Sequence, residues 1–339
     1  MSCPDCAPTA SDSSRSPAPA ATRGDGITVL GDSRAPRVLH LGGVYRLSSE
    51  LAAAGTTPQV ASGRRLCSLK FKGFVLDTWI ARELGSQPFR HVMGFDLDEG
   101  ARIQRDRSYS TTRSSEYPLV AWGWDRARCQ QYLQDLLGEP WPKSACVYCP
   151  FAANHAALPA LLARYRRFPD AAVQAMLLEL TSMAFNPNMA LFGSRSVNAL
   201  VAADGNQAAL TALERILAAC DYTLYEVRRV LPLSASHCGR PGRPWRSVRQ
   251  LTSGKEATVL GELRHRAHAA GVDVTSSGHV HRAILRPRGL TLPTKEHLLV
   301  VSPSGVQAKQ RSGFERVWAQ VGDNDMFQPP LASTRGERL

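Results

Sequence analysis

The sequence contains no apolar run approaching the roughly 18 residues that a membrane-crossing helix needs, which argues against a helical membrane protein and against a membrane partner. It does not open with a basic stretch followed by an apolar core, so no secretory leader is expected and a cytoplasmic location is. Eight cysteines in a long chain without an export signal do not suggest a disulfide framework. Clustered thiols in such a setting point to metal binding or thiol chemistry. Residues 1–26 have almost no large apolar side chains and are rich in Ser, Pro and Ala, so a disordered tail is expected there. Cys3 and Cys6 fall in that tail with no companions, and a metal site needs convergent ligands.

Acidic residues are also in deficit: 29 Asp and Glu face 41 Lys and Arg, a formal net charge of +12. That balance favours an anionic partner such as a nucleotide, tRNA or DNA. Ala-, Arg- and Gly-rich usage, as in GC-rich genomes, produces the same charge without any nucleic-acid role. A chain of 339 residues, 43% hydrophobic and 21% charged, has material for two ordinary soluble domains.

The most informative stretch is residues 116–151. Within it, Cys146-x-x-Cys149 can chelate zinc, hold two corners of an iron–sulfur cluster or form a redox disulfide. Lys143 precedes the pair and Pro150 follows it. Residues 117–122 read as a strand; Asp125 then caps a helix that Gly138 ends. Cys129 shares one face of that helix with Leu133, Leu136 and Leu137, so it reads first as a core residue. Upstream, a helix is expected over 69–84 with Leu76, Trp79 and Ile80 on its buried face. Cys67 stands at its start among Arg64, Arg65, Lys70 and Lys72, where dipole and cations favour a thiolate. Residues 91–95 read as another strand, with Asp96, Asp98, Glu99 and Arg102 in the loop after it.

Three blocks in this order, residues 63–80 (GRRLCSLKFKGFVLDTWI), 117–133 (YPLVAWGWDRARCQQYL) and 141–151 (WPKSACVYCPF), resemble the phosphoadenosine phosphosulfate reductase-like branch of the adenine-nucleotide α-hydrolase (PP-loop) proteins. The resemblance covers roughly residues 44–167. It implies an α/β fold with a partial Rossmann-like (HUP type) parallel sheet and flanking helices. It further implies sulfur transfer or sulfonucleotide reduction, with Cys67, Cys146 and Cys149 holding a [4Fe–4S] cluster that leaves one iron open to substrate sulfide. Lys70, Lys72, Arg102 and Lys143, beside Arg64 and Arg65, would then hold anionic substrate groups. Zinc is the alternative metal, and Cys129 or His155 is available as its fourth ligand.

The family's nucleotide loop, Ser-Gly-Gly-x-Asp-Ser, is missing. Gly31-Asp32-Ser33 after a short strand at 27–30 echoes only its end, and Ser33 stands 34 residues before Cys67, too few for a further strand–helix unit. Binding of ATP or another adenine nucleotide loses its main support. A catalytically degenerate protein that binds nucleic acid or a partner around a structural zinc is therefore the second expectation. A dithiol oxidoreductase using Cys146 and Cys149 is a third.

Further on, residues 171–200 read as helical with a break at Asn186-Pro187-Asn188, and 206–219 as another helix. The domain scheme expected is a tail at 1–26, an α/β domain with a helical extension at 27–221, and a small α+β module at 222–335. In that module strands are expected at 223–231, 280–285 and 297–302, a linker at 237–244 and a helix at 255–270. His279 and His281 fall on one strand face as a candidate metal pair, although a polar strand face explains them as well.

Overall fold

The computed structural model describes residues 24, 26–35, 37–38, 45–58, 60–61, 64–107, 111–141, 145–153, 157–193, 195–234 and 242–321. Contacts gather into two units, one made of residues 1–47 and 63–144, the other of 48–62 and 145–339. Helix α1 (Leu47–Ala54) begins at the first boundary. Among the described residues no helix is long and apolar enough to cross a membrane.

In the first unit a helical turn (Leu66–Ser68) runs through a π-helical segment (Leu69–Gly73) into α2 (Phe74–Leu84). Strand β1 (Phe89–Val92) is followed by α3 (Gly100–Arg107), β2 (Arg113–Glu116) and α4 (Arg126–Leu137). β1 and β2 pair in parallel, Phe89 opposite Arg113 through Val92 opposite Glu116. Among the described residues this is the whole of the parallel sheet, so the chain is mixed α/β without a doubly wound sheet.

Two expected strands are corrected here. Residues 117–122 do not form one: Pro118–Ala121 is a helical turn, with Trp122 N–H donating to the Pro118 carbonyl at 2.8 Å. Proline lacks an N–H and holds φ near the helical value, which suits the first helical position. A short apolar run cannot be told from a helical turn by pattern alone. Residues 27–30 are likewise without regular structure. Asp125 does cap α4, accepting from Arg128 N–H at 2.7 Å, and Gly138 ends it at φ +76°.

The second unit continues with α5 (Leu158–Arg167), α6 (Pro169–Phe185), α7 (Val197–Ala203) and α8 (Gln207–Ala219). It then forms β3 (Tyr222–Leu231), β4 (Trp245–Gly254), α9 (Glu256–Ala269), β5 (Val274–Ser277), β6 (Val280–Arg286), β7 (Thr294–Pro303), β8 (Lys309–Gln310) and α10 (Phe314–Gln320). These strands make one six-stranded antiparallel sheet in the order β8-β4-β3-β7-β6-β5. β4 was missed because its sequence, WRSVRQLTSG, is mostly polar and only Ser247 and Val248 are fully buried.

Helices cover both faces of this sheet. α6 places Ala184 and Phe185 against Tyr225, Val227, Val248 and Val300. α9 places Val259, Leu263 and Ala267, one helical turn apart, against Tyr222, Leu224 and Val301. β3 is buried along most of its length, with Tyr222 and Leu224 facing α9 and Tyr225 and Val227 facing α6. The sheet carries the largest clusters of buried apolar side chains, and α5 to α8 gather with it in the second unit, as do Cys146 and Cys149.

The helix junctions are tied by polar groups. Buried Glu179 accepts from the N–H groups of Leu191 (2.8 Å) and Val197 (2.6 Å), fixing the loop before α7. Asn206 caps α8. After α1, Gly55 adopts φ +54°, and a Cβ there would lie 3.0 Å from the Val306 side chain, so any other residue is both strained and crowded.

Candidate functional site

Cys146 and Cys149 lie in the second unit on a turn that α5 holds from behind. Cys149 N–H donates to the Cys146 carbonyl at 3.1 Å, and Ala152 N–H to the Cys149 carbonyl at 2.8 Å. Arg164 donates through Nη1 to the Ala145 carbonyl at 2.6 Å, and the Tyr165 hydroxyl donates to the Val147 carbonyl. Two neighbouring residues of one helix therefore hold two carbonyls that flank Cys146. Burial, with the Glu179 charge near it, pushes the Tyr165 hydroxyl up, so it remains a donor. Cys146 is exposed and Cys149 half-buried. In sequence, residues 164–167 are a basic segment with an interposed tyrosine, and no local signal in them announces this role.

The other expected site residues lie in the first unit. Cys67 occupies the opening helical turn and is half-buried. Arg64 and Arg65 precede it in a short extended segment. The Lys70 ammonium stands 5.8 Å from the Tyr45 ring and 5.9 Å from the Phe71 ring, and those rings stack at 5.1 Å. Lys72 lines a cavity of about 850 Å³ with Ile27, Leu30, Arg37, Phe71 and Trp79. The π-helical segment that carries both lysines is a distortion frequent at functional sites.

Arg102 is a helical residue of α3 rather than a loop residue. It pairs with Glu99, and its guanidinium lies 4.6 Å from the Phe95 ring. Cys129 is half-buried in α4, and burial, followed by the charge of Asp96, pushes its thiol up. Its expected companions Leu136 and Leu137 are exposed. Lys143 and His155 lie outside the described residues.

The thiols thus divide between the units: Cys67 and Cys129 in one, Cys146 and Cys149 in the other. Among the described residues, no group of three or more His, Cys, Asp or Glu side chains is placed to hold a metal ion. His279 and His281 face the carboxylate of Glu256, at 3.0 and 2.9 Å. On its own, the Cys146–Cys149 turn offers two soft ligands, short of the three or four that a closed zinc or cluster site requires. Comparison of the chain with protein-family models, curated proteins and solved structures found no match.

Proposed function

We propose that this protein is a sulfur-handling enzyme resembling the phosphoadenosine phosphosulfate reductase-like branch of the PP-loop proteins. In this reading it acts on a nucleotide or nucleic-acid substrate in the cytoplasm. The observation that carries the reading is the Cys146–Cys149 turn, an exposed and a half-buried thiol on a backbone fixed by Arg164 and Tyr165. Thiolates select iron–sulfur or zinc over harder metals. A cluster bound by Cys146 and Cys149, with Cys67 as a further ligand and Cys129 as another candidate, would supply sulfide or electron chemistry. The parallel pair β1/β2 supports reading the first unit as a reduced HUP-type sheet. Lys70, Lys72 and Arg102 are the described cations proposed to meet an anionic substrate.

A second reading is a nucleic-acid- or partner-binding protein around a structural zinc. It is favoured by a row of rings in the first unit: Trp122 to Trp124 at 5.7 Å and Trp124 to Tyr132 at 5.1 Å, with Arg128 5.6 Å from the Trp124 ring. Trp122 and Tyr132 are exposed, as aromatic platforms for unstacked bases are.

Purification without oxygen, followed by iron, acid-labile sulfide and zinc determination on wild type, Cys146→Ala and Cys67→Ala, tests both. Iron with matching sulfide, lost in Cys146→Ala, supports the enzyme; zinc alone supports the binding protein. Absence of metal from every preparation sinks the ligand assignment.

A further inference from the structure

Far from the cysteines in sequence, the register of β5 on β6 brings a serine, a histidine and a glutamate into one line. Ser276 and His281 are cross-strand partners. Ser276 Oγ lies 2.8 Å from His281 Nδ1, and His281 Nε2 lies 2.9 Å from Glu256 Oε1. The other Glu256 oxygen, Oε2, lies 3.0 Å from His279 Nδ1, while His279 Nε2 lies 3.3 Å from Glu214 Oε2.

The protonation pattern follows from the partners. Both ring nitrogens of His279 face carboxylates, which only accept when ionised, an arrangement that favours the doubly protonated ring. Burial opposes that charge, yet Glu256 and Glu214 hold the His279 pKa above its ordinary value. Burial likewise disfavours an ionised Glu256, but hydrogen bonds from His281 and His279 keep its carboxyl below the usual range. Glu256 is also the first residue of α9, where the helix dipole favours a negative charge. His281 Nε2 therefore donates to Glu256, and in the neutral ring Nδ1 keeps a lone pair able to accept from the Ser276 hydroxyl.

We infer that Ser276 is a nucleophile of acyl transfer, activated by His281 as general base and oriented through Glu256, and that its substrates are esters. The arrangement has the logic of a Ser-His-acid triad with the two ring nitrogens exchanged. Ser276 is exposed, whereas His281 is buried at 6% and held from both sides. β5 is the edge strand of the sheet among the described residues. A two-residue turn closes on a hydrogen-bonded pair, Ser277 and Val280, which makes the next pair, Ser276 and His281, a non-hydrogen-bonded one. The Ser276 N–H then points to the open edge, where it can donate to an oxyanion formed beside its own Oγ.

In the first step Ser276 Oγ bonds to the ester carbonyl carbon while its proton passes to His281 Nδ1. Collapse of the adduct breaks the bond to the leaving alcohol oxygen, which takes the proton from Nδ1. The acyl group remains on Ser276. Water, deprotonated in turn by Nδ1, releases the acid and restores the serine. No oxidant or cofactor enters.

The test is labelling of the full chain with an alkyl fluorophosphonate, which loses fluoride to an activated serine, with the adduct mapped by mass spectrometry. A single adduct on Ser276 is expected, absent in Ser276→Ala, retained in Ser277→Ala, and formed at least about 100-fold more slowly in His281→Gln, the scale of general-base catalysis. Glu256→Gln, at a half-exposed position, gives a second slow variant if the buried His281→Gln fails to fold. The same order is expected for p-nitrophenyl acetate hydrolysis. An unlabelled wild type, an adduct that survives Ser276→Ala, or undiminished labelling in folded His281→Gln or Glu256→Gln overturns the inference.

Discussion

The two units carry similar apolar patterns and bury them very differently. In the sheet unit Tyr225, Val227 and Val300 are each 0% exposed, covered by α6. In the first unit Leu76 and Trp79, on the face of α2 expected to be buried, remain 43% and 40% exposed. An apolar stripe at helical spacing states which face prefers contact; a covering layer decides whether contact occurs. A six-stranded sheet presents two broad faces to helices, while the described parallel pair β1/β2 is too small to do so.

The contrast is broken most directly by truncating the sheet core. Phe185→Ala removes a fully buried ring set 5.0 Å from Tyr225 and 5.6 Å from the Arg246 guanidinium. A loss of about 3–5 kcal/mol is expected, read from the denaturant midpoint; a loss below about 1 kcal/mol would show the core looser than its burial suggests. Tyr165→Phe leaves the Val147 carbonyl without its donor and should lower stability by about 1–2 kcal/mol. It should also speed alkylation of half-buried Cys149, and an unchanged rate would mean that the turn does not depend on this bond.

Asp125→Ala sharpens the comparison from the other unit. Losing the bond to Arg128 N–H should weaken α4 by about 1 kcal/mol, visible as faster hydrogen exchange over residues 126–137 without change in the sheet strands. His279 offers a smaller, pH-dependent effect. Its folded pKa lies above the ordinary 6.5, so its contribution is complete below that value and is lost as pH rises through the higher folded value. The melting temperature should therefore decline over that window, and His279→Gln should flatten the decline; an identical profile in the variant would remove the linkage. Smallest of all is Leu76→Ala, expected within about 0.5 kcal/mol of wild type for a side chain already substantially exposed.

Much of the secondary structure was legible where its cause is local. Asp125 and Gly138 bracket α4, Asn206 caps α8 after Gly205, and the helix expected at 255–270 and the strand expected at 223–231 form as α9 and β3. The failures share another cause. Residues 117–122 are apolar enough for a strand, but Pro118 turns the chain into a helix. β4 carries too few apolar residues to be recognised without its neighbours β3 and β8.

The candidate sites divide in the same way. The sequence by itself determined the Cys146–Cys149 pair, the Lys70 and Lys72 positions and the His279–His281 spacing, because these depend only on residues close along the chain. The tertiary structure alone decided that Arg164 and Tyr165 hold the thiol turn, that Glu179 fastens the loop before α7, and that Glu256 and Ser276 stand on either side of His281. Those contacts arise from helix packing and strand register, which join residues that no local propensity or spacing relates.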